Sequence, residues 1–330
     1  MNAQTTSFQT VLDSLLDSKK DFPRRRLIQF SDMGTLELKI LQDVWSRVGL
    51  SRKLSLLEGL ESLADEDTLV NFDDFSRALL DDPDAAVRVH ALKLLNESKD
   101  AKLIPQLLEM LKKDSDSNVR AQAANTLGYF ADLGELEEIP EKAYSEVKAG
   151  LLESARGEDE TRIRRQALEA LGFASDDKVV KLIESASNKK DSDWQVSALI
   201  AMGRSVDERW EEEILRGLTD EDNKIRTAAA QAAGNLGLKS ARAVLLRLLE
   251  EEDDDDVTSA AIWSLSQIGG EDVSTYLENL LDQIEDDDQA GFLEEALDNL
   301  TFTEDLDRFE LMSFDPDEVE DLDDDEEEDK

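Results

Sequence analysis

One histidine, no cysteine and 79 carboxylates bound the chemistry open to this 330-residue chain. His90 alone builds neither a histidine-based triad nor a multi-histidine metal site, and it is expected as an ordinary surface side chain. Without cysteine there are no disulfides, thiolate ligands or thiol nucleophiles. The acidic runs lack the glycine and the closing glutamate of a calcium loop. Neither a Walker A loop nor a GxGxxG turn occurs. Carboxylates are so numerous that no pair singles out an acid–base site. No enzyme activity, catalytic residue, cofactor or metal site is therefore expected. Recognition remains, through arginines and acids at fixed spacing and through a few apolar side chains such as Trp263 and Ile200.

The charge is uneven. The formal net charge is −42. Residues 251–330 hold 33 acidic and 2 basic side chains, whereas residues 1–60 hold 7 and 9. Phosphates need a basic surface, so direct nucleic-acid or anionic-lipid binding is not expected. A protein or peptide with a basic patch suits this field better. Arg24–Arg26 is the only basic run and could touch an acidic partner or the chain's own tail. The N-terminus has no basic start followed by an apolar run, and no stretch is apolar enough to span a membrane. The expected location is the cytoplasm.

The elements that must carry such a surface are legible from one periodicity. Apolar anchors Val87, Val119, Ile163, Trp194, Ile225, Val257 and Phe292 recur at spacings of 32, 44, 31, 31, 32 and 35. Four residues after each comes Ala91, Ala123, Ala167, Ala198, Ala229, Ala261 or Ala296. Four further on stands Leu95, Leu127, Leu171, Met202, Ala233, Leu265 or Leu300. Steps of four lie on one stripe of a helix, and the alanine lets a neighbouring helix approach. Self-similarity at this period marks a stacked helical solenoid. Each repeat reads as a first helix, an acidic turn and a second helix that starts at the anchor. Gly128, Gly172, Gly203, Gly237 and Gly269 are expected to close second helices. The spacing of 44 places an insertion around Gly134–Gly150, in a loop or an extended first helix.

The organisation follows: a helical cap over 1–80, an array of seven repeats over 81–302, and a disordered acidic tail over 303–330. The tail ends in DLDDDEEEDK, which cannot bury enough apolar surface to fold. The acid three residues before each anchor can cap the second helix. The arginine one residue after the anchor can pair with that acid or with the next repeat's acid. Seven acidic turns, from Asp81–Asp84 to Glu285–Asp288, are expected to stack into a negative ridge.

The string acid-x-x-[V/I]-R-x-x-A-x-x-x-L-G resembles the HEAT repeat, and more narrowly the short bacterial variety related to phycobilin lyases. It is carried by Asp84–Val87–Arg88–Ala91, Asp116–Val119–Arg120–Ala123–Gly128, Glu160–Ile163–Arg164–Ala167–Gly172 and Asp222–Ile225–Arg226–Ala229. The resemblance implies an all-α fold, a right-handed α-solenoid whose second helices line a concave face, and a scaffold or adaptor role. Gln195, Thr258 and Leu293 stand where the arginine is expected, which interrupts an arginine ladder.

Within each second helix, offsets 0, +4, +5 and +8 from the anchor are apolar or small and should face the core. Offsets +2, +3, +6 and +10 should be exposed. The candidate partner-binding residues on that face are Lys93, Asn125, Tyr129, Glu169, Phe173, Ile200, Arg204, Gln231 and Trp263. Trp194 and Trp45 should be core. The main expectation is a protein-interaction scaffold. The alternative is an acidic chaperone or nucleic-acid mimic that shields a basic partner through ridge and tail. A third, enzymatic reading is a relative of the phycobilin lyases. Salt separates the first two, because binding through Trp263 and Ile200 should survive ionic strength that abolishes binding through charge.

Overall fold

A computed structural model describes residues 3–284 and 286–311 of the chain. Every regular element among them is helical. The chain divides into two compact units, Met1–Lys189 and Lys190–Lys330. The expectation of a disordered segment falls mainly on 312–330, which lie outside the described residues.

The first unit opens with a cap built from α1 (Ala3–Leu16), a 3-10 segment Arg24–Phe30, α2 (Thr35–Trp45) and α3 (Leu50–Glu66). Its core is aromatic: Phe75 meets Phe30 and Trp45 edge-on, with ring centroids 5.0 and 5.9 Å apart. Offset and edge-on geometries of this kind are the favoured ones. The basic run is largely spent inside this cap. Arg24 pairs with Glu66, and Arg26 donates to the Thr10 carbonyl and the Ser14 hydroxyl. The repeats follow as α4 (Asp73–Arg77), α5 (Ala85–Leu94), α6 (Ile104–Lys113), α7 (Ser117–Glu135), α8 (Glu141–Arg156), α9 (Thr161–Leu171) and α10 (Asp177–Ser187). Helices α3, α5, α7 and α9 pack in succession. The insertion lengthens both α7 and α8, and Pro140 sits at the N-cap of α8, where a missing N–H costs nothing.

The second unit contains α11 (Ser192–Arg204), α12 (Glu211–Gly217), α13 (Asn223–Asn235), α14 (Arg242–Glu251), α15 (Asp255–Ile268), α16 (Glu271–Leu281) and α17 (Asp287–Leu311). Here α11, α13, α15 and α17 form the succession of second helices, with α12, α14 and α16 against their flanks. The last helix runs past residue 302 to Leu311, so 303–311 continue a repeat helix.

The core stripe is where the periodicity puts it. All seven alanines and the seven residues four further on are buried, and six of the anchors are as well. The exception is Phe292, which is only half-buried; Leu293, 1% exposed, takes the anchor position in the last repeat. A step of three to Ala296 keeps Leu293 on the same face as Leu300. Trp45 and Trp194 are core, as is Trp210.

Two of the glycine expectations are corrected. Gly237 and Gly269 do end their helices in the left-handed region, at φ 57 and 72°. Gly128 and Gly203, by contrast, lie inside α7 and α11. A Cβ at Gly128 would stand 3.2 Å from the Ala170 Cβ, and one at Gly203 would stand 2.8 Å from the Ala232 Cα. These glycines let adjacent second helices touch backbone to backbone. Gly172 ends α9 in the right-handed region.

Candidate functional site

The turn before each second helix is built by two acids with different tasks. Asp84, Asp116, Asp191, Asp222 and Asp254 are N-caps whose carboxylates accept an amide of the first turn. Glu160 occupies the equivalent place without a side-chain cap bond. Two residues before the cap, Asp82, Asp114, Asp220 and Glu252 each accept the amide of the cap residue itself.

The second acid, or in the α9 turn Asp159 directly before Glu160, also receives the charge of the preceding repeat. Arg88 grips Asp114 with two bonds of 2.9 and 2.7 Å, and Arg120 grips Asp159 with two of 2.8 Å. Arg226 Nε donates to Glu252 at 2.7 Å. Each guanidinium also donates to a carbonyl of its own turn, at Asp82, Asp114 and Asp220. Of the two pairings open in the sequence, the inter-repeat one is therefore realised at these three arginines. Hydrogen bonds from Arg120 and Arg226 hold the Asp159 and Glu252 carboxyls below their usual range.

The first rung has no arginine before it, and the cap supplies a substitute. Lys53 Nζ and Trp45 Nε1 both donate to Asp82 Oδ2 at 2.7 Å, in a site where Lys53 is 7% and Asp82 6% exposed. Burial raises the Asp82 pKa, but the bonds from Lys53, the Asp84 amide and Trp45 outweigh it and the net shift is downward. A lysine in a helix without the repeat motif gave no signal of this role.

The turns are occupied by these contacts, and the partner-binding residues expected from the sequence lie on or just after the second helices. Offsets +6 and +10 are exposed or half-buried throughout the candidates. The expected exposure is corrected at four positions: Ala121 at offset +2 and Ser197, Ala228 and Ala260 at offset +3 are buried. His90 is also corrected. It is half-buried, with Nδ1 2.6 Å from Glu61 Oε1.

In the first unit, Lys93 and Asn125 line a cleft of about 840 Å³ where the ends of α3 and α5 meet the loops that follow them. Its floor is a polar network: Asn96 Oδ1 accepts from Gln122 and from the Thr126 hydroxyl at 3.2 and 2.8 Å. Glu61, Asp65, Asp67, Asp73, Glu97 and Asp100 stand against Lys93 and Lys99 in the lining, so the cleft favours cationic groups. Burial pushes the Asp73 carboxyl up, despite the bond it accepts from Ser98. Tyr129 on α7, Glu169 on α9 and Phe173 just past the end of α9 lie outside this cleft, at the equivalent offsets.

In the second unit, Ile200, Arg204, Gln231 and Trp263 occupy those offsets on α11, α13 and α15. Trp263 is 36% exposed, and its ring rests where a Cβ on Gly234 would stand. The Ser264 hydroxyl beside it reaches the Ala230 carbonyl of the previous second helix at 2.6 Å. Phe302, 63% exposed on α17, is a further apolar side chain; it stands at offset +10 from Phe292 and was not among the candidates named from the sequence.

Helix pairs stacked through small residues define an α-solenoid. The chain belongs to the HEAT-repeat family: residues 73–172, 179–266 and 211–298 match it, more than half of the chain. Among curated proteins none matches by sequence. The complex of CpcE and CpcF of phycocyanin lyase from Nostoc sp. PCC7120 has a similar fold, with 19% identity over 86% of this chain and 97% of that chain and a TM-score of 0.51. Escherichia coli YibA aligns at 16% identity over 86% of this chain and 99% of that one, with a TM-score of 0.42. Importin beta aligns at 15% over 90% of this chain and 44% of that one, with a TM-score of 0.45. Among the described residues no helix is long and apolar enough to cross a membrane.

Proposed function

We propose that this HEAT-repeat protein is a scaffold that holds a segment of another protein on the faces of its second helices, the side that is concave in the family's superhelix. The observation that carries the proposal is the cleft at Lys93 and Asn125. It is acidic and roomy, and its position on the variable offsets leaves the stacking residues untouched. The partner segment this cleft suits is basic; within the second unit, Trp263 by itself is a candidate anchor for an apolar or aromatic group. Arg88, Arg120 and Arg226 are committed to carboxylates, which argues against a phosphate-binding arginine ladder.

The test is a pull-down from host lysate at low and high salt, read by mass spectrometry. Wild type is compared with Asn125→Trp, which obstructs the cleft, and Trp263→Ala. A partner kept at high salt and lost with either variant supports the scaffold. A broad set of basic proteins, released by salt and indifferent to both variants, would replace it with the acidic-shield reading.

A further inference from the structure

The long repeat of the first unit opens a groove on the opposite, first-helix side, between α6 and α8. Its volume is about 640 Å³, within the rough 300–1,000 Å³ range of ligand-holding clefts. Leu108 and Leu111 form one apolar wall. Ala149 and Gly150 form the other, with almost no side chain. A Cβ at Gly150 would press on the end of the Leu108 side chain, so the glycine keeps this wall low. The rim is acidic. Glu146, Glu153, Glu158 and Asp159 line it against Lys112 alone, and Lys112 is already held by Glu153 at 2.6 Å. Asp159 is neutralised by Arg120, and Glu146 lies 3.7 Å from Lys142 Nζ in an exposed pair that solvent screens, whereas Glu158 faces solvent.

We propose that this groove is a second docking site, separate from the cleft on the second helices, and that it takes an amphipathic helix of a partner protein with aliphatic residues on one face and lysine or arginine at its edges. A trough between two helices accepts a third through ridge-and-groove packing, with anchors at helical spacing. The low wall of Ala149 and Gly150 admits the anchors. The carboxylate rim selects basic flanks by charge and disfavours acidic segments.

The probe is a short synthetic helix with leucine on one face and lysine on the other, beside a scrambled peptide of equal charge. The full chain is used, with methyl-labelled leucines followed by NMR and affinity by fluorescence anisotropy. The amphipathic peptide is expected to shift Leu108 and Leu111 methyls, and the scrambled one to leave them in place. Ala149 is exposed, so Ala149→Trp should fill the groove without loss of melting temperature and weaken binding by at least about tenfold. Glu146→Lys with Glu158→Lys should weaken it further at low salt than at high salt. Equal binding of the scrambled peptide, shifts confined to the cleft around Asn125, or an unchanged affinity in Ala149→Trp would each overturn the proposal. Self-association abolished by Ala149→Trp would overturn it too, by assigning the groove to a second copy.

Discussion

At the scale of single residues, the most consequential side chain is Lys53. Its ammonium lies over the Trp45 ring at 4.8 Å and bonds Asp82 at 2.7 Å in a nearly dry site. Removing one partner of a buried pair leaves the other charge unpaired, at a cost of roughly 3–5 kcal/mol. Lys53→Ala is therefore expected to lose stability on that order in urea unfolding, and Lys53→Ala with Asp82→Asn to recover part of it. No recovery in the double variant would remove Asp82 as the group Lys53 serves. The lowered carboxyls set a pH window. Asp82, Asp159 and Glu252 sit below ordinary values of 3.8, 3.8 and 4.5. Their contribution is thus present above that range and lost as pH falls through it and below. Thermal melts should show stability dropping as the pH falls from about 4.5, and Arg120→Ala should flatten that drop.

At the scale of elements, second helices meet so closely that glycine is needed inside them. Helix propensity alone would make Gly203→Ala stabilising by up to about 1 kcal/mol. The added Cβ stands 2.8 Å from a backbone atom of Ala232, and overpacking of that kind costs roughly 1–3 kcal/mol. A net loss is the expected sign in chemical denaturation, and a gain would mean that the α11–α13 spacing relaxes freely. The same closeness explains what the sequence could and could not reveal. Alanines at a helical step of four report burial directly, so the stripe from Val87 to Leu300 was legible. Glycine has two uses that look alike in sequence, closing a helix at Gly237 and admitting a neighbour at Gly203, and only geometry separates them. Arg88 likewise offered two partners four residues or one repeat away, and the choice of Asp114 depends on stacking. The cleft at Lys93 and Asn125 was legible only as a run of variable offsets, because its far wall comes from α3 and the loop after it, which lack the repeat motif.

At the scale of the whole molecule, a net charge of −42 opposes compactness at neutral pH. The ladder pairs are partly buried and resist screening, whereas the remaining carboxylates repel one another across solvent. With a Debye length of about 10 Å at 0.1 M salt, added sodium chloride should raise the melting temperature. A fall would mean that attraction through the pairs outweighs the repulsion.

The central claim, that a partner lies on the second-helix face, is tested most directly by photocrosslinking in host lysate, with benzoylphenylalanine replacing Asn125 in one sample and Lys181, exposed on the first helix α10, in another. A discrete adduct from position 125 that persists at high salt and is absent from position 181 is the expected result. Adducts from 181 and none from 125 would contradict the account.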